Sequence, residues 1–524
     1  MIVLTRRRFL GTSARALALA AIWAEAFPLD PAPVSAAPLQ LAPTFSRSPF
    51  TLGVASGDPA DGSVVLWTRL ALDPLAEGGG LPPEAYRVTW ELAEDERFSK
   101  VRGRDTVETG PERAHSVHVE VDGLRPERPY WYRFRIGSWE SPVGRTRTAP
   151  RASADPDRLR LGFVSCQHWE QGYYTAHRHL AQEDLDVVLH LGDYIYEYGP
   201  QPNPVRVSVG PKCTTLAGYR QRYAQYKSDP DLQAVHAAHP FIVTWDDHEV
   251  ENDYANDHSN DGEPAESFVR RRAAAYQAYY EHMPLRVERR PRGPDMPLFR
   301  GIPYGRLVDL AVLDTRQYRT PQPCGNKPGP LCEGAFAPGA TILGESQRRW
   351  LFERLNRSPA RWHVLAQQVM MAPLDLAAGP PEEFSMDKWT AYQPDVEALF
   401  QFLATRKPSN PIVLSGDIHT SWACDLKAKP HDAASPVLGS EFVGTSISSG
   451  RDGTDISPRN QVVLAENPHV KFHNGQRGYV RCTITRDRWH TDYRVVPFVS
   501  RPGASVETRA SLVVENGRPG VTRA

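Results

Sequence analysis

The chain has 524 residues, with 61 Lys+Arg against 62 Asp+Glu for a formal net charge of -1, and it is 40% hydrophobic and 10% aromatic with 47 Pro and 38 Gly. That length exceeds one ordinary core, so several folded regions are expected, and the Pro and Gly content argues against a helical bundle. The balanced charge supplies no global field for nucleic acid or an anionic membrane, so any anionic ligand must be held by local groups.

Residues 1–37 read as an export segment. Thr5-Arg6-Arg7-Arg8-Phe9-Leu10 precedes an apolar stretch from Ala16 to Phe27 and the small residues Ser35-Ala36-Ala37, the pattern of a bacterial twin-arginine signal. Glu25 interrupts the apolar stretch, which is too short for a membrane span. The expectation is passage through the twin-arginine translocase, cleavage near Ala37, no transmembrane anchor after cleavage, and a periplasmic or secreted protein. An N-terminal anchor helix is the alternative.

Residues 48–149 carry FTLGVAS, SVVLWTRL, YRVTWELAE, SVHVEVDGL and YWYRFRIG, short runs separated by turn residues and in part alternating apolar with polar, which predicts a small all-β sandwich. TAPRASADPD, 148–157, is the candidate linker. From residue 157 to about 510 the pattern changes to apolar strands alternating with helix-like stretches: RLRLGFVSC, DVVLHLGD, FIVTWDDHE, LVDLAVLDTR, WHVLAQQVM and PIVLSGDIH. Continuous Val/Ile/Leu runs of this kind are strands covered on both faces, so the fold class is α/β, layered, after a β domain. Cys324 and Cys332 bracket CGNKPGPLC, which either closes as a disulfide loop or leaves two free thiols.

Four of the apolar strands end in residues able to bind metal: Cys166, Asp193, Asp246-Asp247-His248, and Asp417 with His419. Loops at the carboxyl ends of strands converge on one edge of a layered α/β fold, so separate segments can build one cluster there. A single Asp at a strand end is more simply a cap or turn residue; the recurrence at four ends is what argues for a site. Asp417 and His419, two apart, would project to the same side of an extended backbone, and a turn in GDYIYE can aim Asp193 and Tyr196 at one centre. Thiolate, phenolate, carboxylate and imidazole together suit a ferric ion, whereas Asp193, Asp247, Asn252 and Asp417 offer oxygen ligands for Ca2+, Mg2+ or Mn2+.

The segments FVSCQ, HLGDYIYE, WDDHEVENDY and SGDIHTSW, in that order after FTLGVASGDPADGSVVLWTRL, resemble the PhoD family of alkaline phosphatases within the calcineurin-like metallophosphoesterases. The resemblance covers nearly all of the mature chain. It implies iron ligands Cys166, Asp193, Tyr196 and His419, and calcium ligands including Asp193, Asn252 and Asp417. Asp247 stands where the broader superfamily usually has Asn, so its expected place is beside His248 as part of the catalytic pair. His248 reads either as a hydrogen-bonded loop histidine or as a group set over the substrate phosphoryl, and its neighbours favour the second.

The implied reaction is hydrolysis of phosphomonoesters or phosphodiesters by a metal-activated water, without a phosphoenzyme. The expected partners are small phosphoesters, or phospholipid or polymer phosphodiesters, and no stable nucleic-acid complex. A phospholipase-D-like diesterase is one alternative, and a cell-surface binding protein with purely structural metals is another. Arg220 and Arg222 in GYRQRYAQY read as a helix face paired to solvent or as the phosphate entrance. Arg316 reads equally as a structural ion pair or a substrate contact; Arg220 and Arg316 are the expected substrate-binding pair. Asp387, Trp389 and Tyr392 read as packing or as a pocket rim, and His168 as a surface histidine.

Overall fold

The computed structural model describes residues 39–40 and 43–524. The expected export segment, 1–37, lies outside the described residues. No helix among the described residues is long and apolar enough to cross a membrane.

The described residues form three sheets, of ten, seven and six strands. At the middle of the ten-stranded sheet, Arg158–Val164, Val187–Leu191, Pro240–Thr244 and Val54–Gly57 run parallel. The parallel centre of the seven-stranded sheet is Val308–Val312, Trp362–Ala366, Pro411–Ser415 and Val437–Val443. Leu161, Phe163 and Leu189 from the first sheet share a core with Leu310, Val364 and Leu414 from the second. The intervening residues point the other way, as successive strand residues must. Val164, Val188 and Val243 pack with residues of the helices Leu216–Lys227 and Ala265–His282, while Ala311, Leu365 and Val413 pack with those of Gly344–Arg357 and Gln393–Arg406. The succession is helices, sheet, sheet, helices, which is why the strands read as uninterrupted apolar runs.

The N-terminal region is not a separate sandwich. Its strands Ala85–Ala93, Val101–Thr109 and Pro129–Ile136 belong to the six-stranded sheet, but Val54–Gly57, Val64–Arg69 and Ser116–Val121 extend the ten-stranded one. The join is a parallel pairing of Pro240 with Ser56 and Phe241 with Gly57. Val64, Leu66, Val117 and Val119 meet Val88, Leu92, Tyr132 and Phe134 in a core of their own. The region is thus sandwich-like, with one wall shared with the rest of the molecule. At the other end, residue 510 falls inside the strand Glu507–Glu515, and Arg518–Arg523 adds a further strand to the same sheet. Residues 148–157 carry neither helix nor strand. Cys324 and Cys332 are disulfide-bonded, with Cα atoms 5.8 Å apart, and Cys166, Cys213, Cys424 and Cys482 are free and buried.

Candidate metal centre

The parallel strands deliver the candidate ligands within three residues of their carboxyl ends. Cys166 follows Arg158–Val164, Asp193 follows Val187–Leu191, Asp247 follows Pro240–Thr244, and Asp417 follows Pro411–Ser415. Cys166, Asp193, Asp417 and His419 all sit in the left-handed region, at φ 58°, 55°, 64° and 60°. Each such residue is uncommon outside glycine and carries a conformational cost that the surrounding structure must hold in place. This overturns the extended-backbone argument for Asp417 and His419: the strand has ended, and two left-handed residues with Ile418 between them aim the side chains.

Two glycines allow the loops to close on one another. A Cβ on Gly192, at φ 110°, would lie 2.5 Å from Asp246 Cβ, and one on Gly416 would lie 2.5 Å from Ser165 Oγ. The first contact draws the 193 and 247 segments together within one sheet, and the second draws the 417–419 segment of the other sheet onto Cys166. Backbone bonds from Cys166 N–H to Gly192 O (3.1 Å) and Gln167 N–H to Asp193 O (3.1 Å) complete the stitching.

At the centre, a ligand atom from each of Cys166, Asp193 and His419 lies within 4.8 Å of the others, and the same holds for Asp193, Asp247 and His248. The Tyr196 hydroxyl donates to Asp193 Oδ2 at 2.8 Å and lies 3.1 Å from His419 Nε2. Asp193 Oδ1 is buried with no hydrogen-bond partner. Burial, with the Asp193 carboxylate next, pushes the Cys166 thiol and the Tyr196 phenol well up, and burial pushes the Asp193 carboxyl well up. Burial, with Arg477 and His248 nearby, lowers His419 to about 3, leaving a neutral imidazole free to ligate. An orphaned carboxylate oxygen ringed by a thiol, a phenol and a neutral imidazole fits a cation chemically.

Asp417 stands outside that ring, ion-paired with Lys388. Asn252 donates its backbone N–H to Glu197 Oε1 at 3.1 Å, and the residue is partly exposed. The Asp247 carboxylate accepts from the His248 N–H (3.0 Å) and the Asp253 N–H (2.7 Å) and lies 3.6 Å from Arg316, an engaged supporting position beside His248. His248 is 7% exposed, its Nδ1 lies 2.7 Å from Glu197 Oε2, and its ring packs 4.1 Å from that of Tyr196. Burial opposes its charge, but the Asp247, Glu197 and Asp193 carboxylates outweigh that and hold it well above the usual imidazole range.

Neither expected substrate arginine presents a free guanidinium. Arg220 donates to both Glu281 carboxylate oxygens at 2.7 and 2.5 Å and to Glu112 O at 2.9 Å. Arg316, 0% exposed, donates to Asp246 Oδ1 at 2.5 Å and to both oxygens of Asp387 at 2.7 Å. The structural alternative describes Arg316. Arg222 is buried rather than solvent-paired: it clamps the carbonyls of Tyr196 and Tyr198, fixing the loop that carries Tyr196. His168 is also buried, its ring 4.3 Å from that of Tyr196. Trp389 and Tyr392 are packing residues, bonded to Gln367 and Thr320.

Three supporting groups went unread in the sequence. Glu249 accepts from the N–H groups of Asp193 (3.1 Å), Tyr194 (2.6 Å) and Asp246 (2.9 Å), tying two loops to one carboxylate. Ser449 Oγ lies 2.7 Å from the Tyr196 hydroxyl and 2.8 Å from Cys166 O. Glu197, which orients His248, follows Tyr196 directly, and an acidic residue ending GDYIYE was the one available signal.

The chain is similar to known proteins over most of its length. Residues 161–493 match the model of the PhoD-like phosphatase family, and residues 35–150 match that of the PhoD-like phosphatase N-terminal domain. Alkaline phosphatase D of Bacillus subtilis (strain 168) is 50% identical over 495 residues, covering 94% of this chain and 85% of that protein. The solved structure of PhoD superposes with a TM-score of 0.90 at 50% identity, covering 92% of this chain and 93% of that one. The chain belongs to the PhoD-like phosphatase family.

Proposed function

We propose that the chain is an exported, metal-dependent hydrolase of small phosphomonoesters and phosphodiesters, built on the layered metallophosphoesterase architecture. The observation that carries this reading is the convergence of Cys166, Tyr196 and His419 on Asp193, whose Oδ1 is buried and unpartnered. Cys166, Asp193, Tyr196 and His419 form the set suited to Fe3+, and Asp193, Asn252 and Asp417 the set suited to Ca2+ or another divalent ion. When bound, the cations supply charge neutralisation at the phosphoryl oxygens and an activated water.

The remaining work falls to this chain's own side chains. Glu197 holds His248 by Nδ1, which leaves the Nε2–H to donate to a phosphoryl oxygen or to the departing alcohol. Asp247 steadies that histidine through the backbone N–H it accepts. Lys388, its side chain 17% exposed and ion-paired with Asp417, would take the anion-facing role expected of Arg220 and Arg316 once Asp417 ligates a metal ion instead. Loading of iron before export suits the twin-arginine route, which carries folded proteins.

The test is elemental analysis and visible absorption of the purified protein, together with turnover of p-nitrophenyl phosphate, bis-p-nitrophenyl phosphate and phosphatidylcholine at alkaline pH. Bound iron and calcium, a charge-transfer colour and ester turnover lost in Asp193→Ala are expected. A colourless, iron-free and fully active preparation would sink the iron assignment, and the relative rates on the three esters separate mono- from diesterase.

A further inference from the structure

Behind the segment that carries Asp417 and His419 lies a cavity of about 300 Å³. Leu374, Leu376, Ile418, Trp422 and Val463 supply its apolar walls, with Leu374 8%, Trp422 2% and Val463 1% exposed. Its relation to the centre is direct. Ile418 lies between the two candidate ligands, Thr420 follows them, and Lys388, which lines the cavity, also meets the Asp417 carboxylate. Trp422 Nε1–H donates to Thr420 Oγ1 at 2.7 Å, so the polar edge of the indole is satisfied and its faces remain apolar. Arg459, its side chain 68% exposed and 3.8 Å from Glu383, lines the rim.

We propose that this cavity receives the apolar alcohol portion of the phosphoester, so that the enzyme selects esters of hydrophobic alcohols over those of small polar ones. The assignment rests on the hydrolase reading above. A mostly apolar space at the lower end of the roughly 300–1,000 Å³ range of ligand pockets, with Ser385, Thr390 and Asn460 as its polar groups and Lys388 on the side of Asp417, matches an amphiphile with a charged head and a hydrocarbon body.

The experiment measures kcat/KM of the metal-loaded enzyme on methyl, butyl and hexyl phosphate, alcohols of nearly equal leaving ability. A rise of up to about fourfold per buried methylene is expected, and Leu376→Trp, which fills the space from a partly buried wall, should flatten the series. Hexylphosphonate should also inhibit the unaltered enzyme more tightly than methylphosphonate, a comparison that needs no variant to fold. Turnover that is independent of chain length, with equal inhibition by the two phosphonates, overturns the pocket assignment alone. No turnover of any ester removes the hydrolase reading, and the pocket assignment with it.

Discussion

Two carboxylate clusters share Asp247, and they differ in who neutralises them. Around Asp387 the protein supplies its own cations: Arg316 binds both carboxylate oxygens at 2.7 Å, Arg319 adds a bond at 2.6 Å, and Gln322 another at 2.8 Å. Around Asp193 one oxygen takes the Tyr196 hydroxyl and the other has nothing. Both sites are buried and both are acidic. A finished ion-pair network is a structural element, whereas a buried carboxyl group left short of partners has room for an ion.

Substitutions on the two sides should have opposite signatures. Asp193→Asn should lower kcat/KM by more than about a thousandfold, yet leave the chelator-treated protein as stable as the parent or more so, because it replaces a buried carboxyl group whose Oδ1 has no partner. Arg316→Met should cost about 3–5 kcal/mol by stranding Asp246 in the interior and leaving Asp387 Oδ2 without its arginine. Urea denaturation of both variants under chelation decides the matter. Equal destabilisation would break the comparison, since Asp193 would then be a structural acceptor like Asp387.

A smaller effect sharpens the boundary between the clusters. Glu197→Gln keeps the shape of the contact with His248 Nδ1 but removes the charge that supports an imidazolium. A loss of about ten- to a hundredfold in kcat is expected, comparable to removing a partner that orients a site histidine, with little change in denaturant midpoint. A variant that loses stability but not turnover would instead make the pair a structural bridge.

The parts of this arrangement that were legible in the sequence were those written locally. An apolar run ending in Asp or Cys marks a buried strand and its exit, so Cys166, Asp193, Asp247, Asp417 and His419 could be read one by one. What joins them is not local. Arg222 read as a solvent-paired helix residue or a lining of the phosphate entrance because nothing in GYRQRYAQY shows that its guanidinium reaches the carbonyls of Tyr196 and Tyr198. Arg316 could not be separated from a substrate contact because its partners Asp246 and Asp387 lie 70 and 71 residues away. The left-handed backbone at four candidate ligands, none of them glycine, has no residue-type signal. Nor do strand-like runs name their neighbours: FTLGVAS reads as a strand of the N-terminal sandwich and FIVTWDDHE as a buried strand, but only the register of Phe241 on Gly57 reveals that the N-terminal strands continue the central sheet.

The smallest predicted effect extends the comparison to a buried charge of the opposite sign. Lys227 is 2% exposed, its ammonium lies 4.1 Å from the ring centroid of Trp67, and burial lowers its pKa from 10.5 to about 7. Because the folded value lies below the unfolded one, the unfolded chain binds the proton more tightly. The associated stability is fully present above pH 10.5, is lost progressively as pH falls, and is gone below about 7. Lys227→Met removes this linkage and keeps most of the packing volume. The variant should therefore gain Tm relative to the parent at pH 7, and the gain should shrink towards pH 10, where the parent lysine is largely neutral inside the fold. Parallel Tm curves for the two proteins from pH 7 to 10 would mean that the ring contacts with Trp67 and Tyr194 stabilise the ammonium as well as water does, and that this lysine is compensated like Asp387 rather than exposed to its burial like Asp193.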